Sequence, residues 1–177
     1  SEWIRVRDWR ITQINKCENI EVFPESYMTA DSVLELGYED VVIATGARWA
    51  KDSIGRHSDC DFKKVDMKMI VSGDEVLENP IKSKSKFVIY DDDHYYFGSV
   101  LALELKRLGH EVTLVSPAGR VCSWGEFTDE QTRSNTEIIK AGIKVINNYK
   151  IEVVMNGIAE LSCIFSGAKR SLLRFRG

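Results

Sequence analysis

Apolar positions in the second half of the chain follow two periods, and so predict strands that alternate with helices. Residues 86–91, "KFVIYD", and residues 111–115, "EVTLV", are short apolar runs typical of buried strands. Apolar residues at helical spacing lie between them and predict a helix with a buried side formed by Val100, Leu101, Leu103, Leu105 and Leu108. Gly109 is expected to end this helix, so the segment predicts one strand–helix–strand unit.

A second unit follows directly. Thr128-Asp129-Glu130-Gln131 has the sequence of a capping box, and the helix that it begins is expected to end at Gly142, ahead of the strand "IKVI". Asn156-Gly157 then lies between two alternating strand-type segments, which is a strong hairpin signal. Ser166-Gly167 is expected to turn the chain into a third strand, "RSLLRF".

Short connections between successive strand–helix–strand units force parallel strands and right-handed crossovers. The second half therefore predicts an α/β, Rossmann-like domain, with a three-layer parallel sheet and a β-meander. The proline and polar residues at 80–86, "PIKSKSK", indicate a boundary, so we expect a partial subdomain over residues 1–80 and a Rossmann subdomain over residues 81–177.

The first subdomain has weaker patterns. Trp3, Ile4, Ile11 and Ile14 predict an amphipathic helix at the start of the chain. The further elements expected here are a strand at 20–23, a helix at 30–36 capped by Thr29, a strand within "DVVIATGARW" at 40–49, a loop from Ala50 to Asp66, and a helical turn at 73–78.

Composition excludes several classes of function. The net charge is −3 and no basic stripe occurs, so nucleic acid is not an expected partner. No apolar run approaches the roughly 18 to 20 residues that cross a membrane. Cys17, Cys60, Cys122 and Cys163 form no C-x-x-C pair, which indicates free thiols and a cytoplasmic protein.

The loop after the first Rossmann strand lacks the glycines that would hold a pyrophosphate. Asp91, Asp92 and Asp93 occupy it, and Gly98 is the one candidate for the third glycine of the fingerprint. A carboxylate about 5 Å from a phosphate costs about 3 kcal/mol at an effective dielectric constant near 20. That cost exceeds the attraction of a helix dipole, about 1 kcal/mol, so this degenerate phosphate loop is expected to repel a pyrophosphate.

Ser116 stands at the end of the second strand, where an acidic residue would bind a ribose. Three interpretations of the aspartates remain open: capping of the following helix, a contact with basic side chains of another domain, or a metal or substrate site. The first is the ordinary structural role.

Other residues of interest have ordinary explanations. His57 and Cys60 have ligand-like spacing without a second pair, which favours a plain loop. His94 beside Asp93 suggests a proton relay or a histidine at a helix start. Packing between helix and sheet explains Trp124 and Phe127 better than ligand stacking does. No catalytic residue and no metal site are predicted.

Three segments together resemble one known family. They are "DVVIATGARW", "FVIYDDDHYYFGSVLALELKRLGHEVTLVSP" and "VCSWGEFTDEQ". They are similar to the C-terminal half of the trimethylamine dehydrogenase and histamine dehydrogenase family, relatives of the 2,4-dienoyl-CoA reductases. The resemblance covers nearly the whole chain, and its aspartate–tyrosine–glycine loop is the most specific match.

The resemblance implies a parent enzyme in three parts: a barrel with FMN and an iron–sulfur cluster, a glutathione-reductase-like domain that binds ADP or FAD, and an inserted NAD(P)-binding-like domain. Residues 1–80 would belong to the second part and residues 81–177 to the third. The chain would then be a fragment that has no cofactor of its own. Its expected partners are the FMN barrel and the ADP-binding halves of the parent, with an electron-transfer flavoprotein as a further candidate.

On the ADP or FAD side, the candidate cofactor-binding residues share one turn after the predicted strand: Thr45, Gly46, Ala47, Arg48 and Trp49. Such a turn at the carboxyl edge of a parallel sheet is where α/β folds bind ligands, and Arg48 could reach a phosphate.

Three functions are therefore compatible with the sequence. The first is a non-catalytic FAD/NAD(P)-binding-like fragment of a flavin and iron–sulfur amine dehydrogenase. The second is a working NAD(P)H-binding oxidoreductase domain, in which Ser116 and Arg120 would accept a 2'-phosphate. The third is an interaction module for an electron-carrier partner.

Overall fold

The structure is a computed structural model, and it describes residues 2–52, 54–57, 64–79 and 81–172. The α-helices are α1 (Glu2–Ile14), α2 (Ala30–Glu35), α3 (Gly73–Glu78), α4 (Phe97–Arg107) and α5 (Glu130–Lys140). The strands are β1 (Lys64–Val65), β2 (Lys86–Tyr90), β3 (Glu111–Ser116), β4 (Lys144–Asn147), β5 (Tyr149–Met155), β6 (Ile158–Cys163) and β7 (Lys169–Leu172). Short 3₁₀ helices cover Met67–Met69 and Ser123–Thr128.

The chain divides into two compact units, Ser1–Gly46 and Ala47–Gly177. The first unit contains α1 and α2, and both predicted helices are confirmed. Thr29 caps α2 as expected, because its hydroxyl accepts the backbone N–H of Ser32 at 3.2 Å.

Both strands predicted in the first unit are wrong. Residues 20–23 and 40–49 form neither strand nor helix, and the side chains of Val42 and Ile43 are 89% and 81% exposed. A strand needs a neighbour to pair its N–H and C=O groups, and the described residues of this unit form no other strand. The apolar run "VVI" has strand propensity without a partner.

The second unit is built on a parallel sheet in the order β2-β3-β4, which confirms the Rossmann-like α/β prediction. Val88 lies opposite Thr113, and Thr113 lies opposite Lys144. Helix α4 connects the first two strands and α5 the next two, as the apolar periods predict. On the predicted buried side of α4, Leu101 and Leu105 are buried and Leu103 is partly buried, but the prediction is wrong for Val100 and Leu108, which are 49% and 39% exposed.

Each face of this sheet carries a different layer. On one face, strand residues such as Val112 and Leu114 pack with Leu105 of α4 and Ile138 of α5. On the other face, the alternate strand residue Val115 packs with the second sheet, whose order is β1-β5-β6-β7. The result is three layers: helices, parallel sheet and meander.

The meander follows the sequence closely. Asn156 and Gly157 have φ of 51° and 73° in the turn between β5 and β6, which are the left-handed values that a two-residue hairpin turn requires. The turn at Ser166-Gly167 leads into β7, and the predicted strand beyond residue 172 lies outside the described residues.

One other prediction about this unit is wrong. Strand β1 pairs in parallel with β5, within a segment predicted to be only loop. Val76 of α3 is buried in the core beside α4, so residues before 80 pack within the second unit. The assignment of residues 1–80 and 81–177 to two nucleotide-binding-type domains stays a prediction.

The predicted capping box of α5 does not form. Asp129 is the residue before the helix, with φ of 60° and no side-chain cap, and Thr128 donates its hydroxyl to the carbonyl of Gly125 at 3.3 Å. The reason is the preceding 3₁₀ helix, which makes the chain enter α5 through a left-handed residue. Gln131 instead donates to the carbonyls of Cys122 and Ser123, at 3.2 and 3.1 Å.

Candidate functional site

The degenerate phosphate loop connects β2 to α4, and its first aspartate is a buried structural residue. Asp91 is 3% exposed, and its carboxylate accepts the backbone N–H of His94 at 3.1 Å. Burial, opposed in part by that hydrogen bond and reinforced by the neighbouring carboxylate of Asp93, raises the pKa of Asp91 to about 6. Helix α4 starts later, after Tyr96, which makes no side-chain cap. Asp91 therefore stabilises the loop through the N–H of His94. The expectation that an aspartate caps helix α4 itself is wrong.

Gly98 in the first turn of α4 faces this carboxylate. A Cβ at position 98 would lie 2.7 Å from Cγ of Asp91, closer than side-chain carbons approach in proteins. Gly98 thus lets α4 approach the end of β2 closely. The carboxylate of Asp91 lies between them, next to the place where a dinucleotide-binding domain would hold a phosphate.

Asp92 joins two histidines in one cluster. Its Oδ1 lies 2.8 Å from Nδ1 of His57 and 3.5 Å from Nε2 of His94, and the two ring nitrogens are 3.3 Å apart. The other oxygen of Asp92 accepts the backbone N–H of His57 at 3.2 Å. The side chain of His57 is 37% exposed, whereas that of His94 is 3% exposed.

Hydrogen bonds to Ser116 decide the tautomer of His94. The Ser116 hydroxyl donates to the carbonyl of Asp91 at 2.9 Å, so the same oxygen is left to accept from Nδ1 of His94 at 3.4 Å. Burial lowers the pKa of His94, which keeps the ring neutral near neutral pH. A neutral ring that carries its proton on Nδ1 turns the lone pair of Nε2 towards Asp92 and His57.

The segment 54–57 covers this loop. Gly55 approaches Asp92 so closely that a Cβ would meet the carboxylate, and Arg56 lies over the ring of Trp124, 4.2 Å from its centroid. Tyr95 contacts the same tryptophan ring edge-on at 5.6 Å. The predicted packing between helix and sheet is wrong for Phe127, whose side chain is 84% exposed, and Trp124, 39% exposed, contacts Arg56 and Tyr95 instead.

The five residues predicted to bind ADP or FAD do not end a strand. Thr45, Gly46, Ala47, Arg48 and Trp49 lie in an irregular, exposed stretch, so the sheet edge on which the prediction relied does not form at these residues. Trp49 stacks on Phe97 of α4, with ring centroids 4.9 Å apart. The role of these residues in nucleotide binding stays a prediction.

Sequence reasoning missed the partners of the loop. The sequence suggests Cys60 as the partner of His57, but Cys60 lies outside the described residues, and the sequence marks Ser116 only as the place of a missing ribose ligand. The signal for His57 was weak, because its partner Asp92 is far along the chain. His94 was paired with Asp93, but the structure brings it to Asp92.

No protein-family model matches the chain. Dimethylamine dehydrogenase from Hyphomicrobium sp. (strain x) is 32% identical over 178 residues, an alignment that covers 96% of this chain and 24% of that protein. The structure of histamine dehydrogenase from Rhizobium sp. 4-9 matches with a TM-score of 0.85 and 31% identity, over 97% of this chain and 27% of that one.

A 6-hydroxypseudooxynicotine amine oxidase (HisD) from Pseudomonas geniculata N1 matches equally well, with a TM-score of 0.85, 26% identity and coverage of 97% of this chain and 26% of that one. The chain therefore spans about a quarter of the length of these relatives, which are oxidoreductases that act on amines. Over nearly its whole length, the chain is therefore similar in sequence and fold to one segment of dimethylamine dehydrogenase and histamine dehydrogenase.

Proposed function

We propose that this chain is a non-catalytic, nucleotide-binding-type segment of a flavin and iron–sulfur amine dehydrogenase. In this proposal, the Rossmann-like unit keeps its fold for structural reasons and binds no NAD(P)H. The similarity to dimethylamine and histamine dehydrogenases supports the enzyme class.

The observation that carries the proposal is the state of the phosphate loop. A dinucleotide would place its pyrophosphate against the start of α4, where glycine N–H groups normally receive it. Here the chain's own residues 54–57 lie over the loop, and Asp92 accepts two hydrogen bonds from His57. A pyrophosphate would have to displace this segment and then face carboxylates, so the residues present do not fit the cofactor.

Ser116 argues against the alternative of an NADPH site. Its side chain is fully buried, and its hydroxyl is shared among Asp91, His94 and the backbone N–H of Ala118. A 2'-phosphate could not reach the hydroxyl of Ser116, and the proton of that hydroxyl is already donated to the carbonyl of Asp91.

The remaining cofactors of the proposed enzyme would be bound elsewhere. Thr45 to Trp49 are exposed and by themselves enclose no part of a nucleotide, so ADP or FAD would need the other half of its domain. FMN and the iron–sulfur cluster would lie in the barrel. The apolar side chains of Val42 and Ile43 are exposed, which supports the proposal that other parts of the enzyme cover this surface.

Calorimetric titration of the chain with NADH, NADPH, ADP and FAD tests the proposal. We expect dissociation constants of about a millimolar or weaker for all four nucleotides. A millimolar constant corresponds to a binding free energy of only about 4 kcal/mol. The chain should also purify without yellow colour. A micromolar constant for NADH or NADPH would replace the proposal with a working oxidoreductase domain.

A chain extended upstream to include a glycine fingerprint serves as the matched control. We expect it to bind ADP or FAD while still failing to bind NADH. The extended chain is also the one in which binding to an electron-transfer flavoprotein should be measured.

A further inference from the structure

His57, Asp92 and His94 offer three metal-ligating atoms from two distant parts of the chain. We propose that these side chains bind one divalent transition-metal ion of the zinc class, and that this ion fastens the segment 54–57 onto the aspartate loop. The proposed function requires no ion here, so this inference stands independently of it.

Spacing of the ligand atoms is the first argument. The three separations are 2.8 Å from His57 Nδ1 to Asp92 Oδ1, 3.3 Å between the two histidine nitrogens, and 3.5 Å from His94 Nε2 to Asp92 Oδ1. In a tetrahedral zinc site with bonds of about 2.0 to 2.1 Å, two ligand atoms lie about 3.3 to 3.4 Å apart. The three atoms therefore form one face of such a tetrahedron with only small adjustments.

Hydrogen-bond accounting is the second argument. Nδ1 of a neutral His57 carries at most one proton, which is donated either to Asp92 or to His94. Nε2 of His94 is a lone pair, because its ring proton is held by Ser116. A single proton on His57 Nδ1 can serve only one of the other two acceptor atoms at a time, whereas a metal ion would bind the lone pairs of all three atoms at once.

The surroundings resemble the support that metal ligands receive in proteins. A ligating histidine normally donates its other N–H to a neighbouring oxygen, and His94 does so to Ser116. The second oxygen of Asp92 is held by the backbone of His57. The side chain of His57 is partly exposed, which leaves one side of the cluster open to solvent.

Two imidazoles and one carboxylate suit Zn²⁺, and also Fe²⁺ or Co²⁺. Three protein ligands leave a further position for water. When the ion binds, the proton of the His57 ring moves from Nδ1 to the exposed Nε2. The ion then replaces the hydrogen bond that Nδ1 donated and binds the lone pairs of all three ligand atoms.

Titration of the metal-free, chelator-treated 177-residue chain with Zn²⁺ is the experiment. We expect one ion per chain with a dissociation constant of a micromolar or tighter, and a rise in melting temperature. The Co²⁺ form should show the visible spectrum of a tetrahedral nitrogen and oxygen site, without a thiolate charge-transfer band.

Variants identify the ligands. His57→Ala and Asp92→Asn should each weaken Zn²⁺ binding by about 100-fold or more, since loss of even a supporting group costs roughly 10- to 100-fold. Asp93→Asn, which changes the adjacent carboxylate, and His110→Gln, which changes a histidine outside the cluster, should leave affinity within about threefold. His57 is partly exposed, so its variant is expected to fold even if changes at Asp92 do not.

Three results would overturn the proposal: no Zn²⁺ or Co²⁺ binding by the unaltered chain, binding that survives both ligand substitutions, or a Co²⁺ spectrum dominated by thiolate. The last result would assign the ion to cysteines instead.

Discussion

At the scale of single residues, the aspartate run has two separate tasks. Asp91 is buried and holds the loop by accepting the N–H of His94, whereas Asp92 faces outward to His57. The pKa of Asp91 is raised to about 6, so this carboxylate is held at a cost and is kept for its geometry. Adjacent residues of one type therefore differ because one side chain points into the core and the next does not.

This difference predicts the effect of removing the acceptor. Asp91→Ala and Asp91→Asn both remove the charge, but only asparagine keeps an oxygen for the N–H of His94. We expect the alanine variant to be less stable than the asparagine variant by about 1 kcal/mol, the usual value of such a cap. Urea unfolding at neutral pH, with chelator present, measures the difference.

Asp93→Ala is the control in that series and should change the free energy of unfolding less than Asp91→Ala does. Equal stability of the alanine and asparagine variants at position 91 would contradict the capping role.

At the scale of elements, the parallel strands follow the apolar periods, whereas the entry to α5 does not follow its sequence motif. Thr128 and Gln131 have the spacing of a capping box, yet the left-handed Asp129 between them rotates both side chains out of that arrangement. Gln131 then donates to two carbonyls at the start of the 3₁₀ helix, those of Cys122 and Ser123.

The two residues of this motif should therefore respond unequally to substitution. Gln131→Ala removes two hydrogen bonds to partly buried carbonyls and should lower the free energy of unfolding by about 1 to 2 kcal/mol. Thr128→Ala removes one weak bond at 3.3 Å and should cost less than about 0.5 kcal/mol. Chemical unfolding of both variants measures the difference. A larger loss of unfolding free energy for Thr128→Ala than for Gln131→Ala would show that the capping box does form.

At the scale of the whole molecule, the two units differ in how much each buries. The second unit contains both core clusters, whereas the first exposes most of its large apolar side chains. Residues 41–46 illustrate the difference, because their apolar side chains have no sheet to join within the described residues.

Hydrogen exchange should separate the units. Backbone amides at 41–46 lie outside any helix or strand and should exchange at close to the rate of an unfolded peptide, while amides of β3, paired on both sides, should be strongly protected. Exchange followed by mass spectrometry on peptides from each region measures this. Strong protection at 41–46 would show that this segment does pair.

Local signals in the sequence were sufficient for most of the second unit. The apolar periods predicted β2, α4, β3, α5 and β4 in order, and Asn156-Gly157 predicted the hairpin, because each of these depends on neighbours within a few residues. The loss of the phosphate-loop glycines is likewise visible in the sequence alone.

Long-range contacts account for what the sequence missed. A strand exists only when another strand pairs with it, so "VVI" at 41–43 has the composition of β2 without its structure. The approach of His57 to Asp92 and His94 spans more than thirty residues, and it depends on a glycine at position 55 that lets two segments touch. The pattern of apolar and polar residues does not predict this contact, because the contact depends on the path of the chain between the two segments. The cluster at the aspartate loop was therefore found only in the folded molecule.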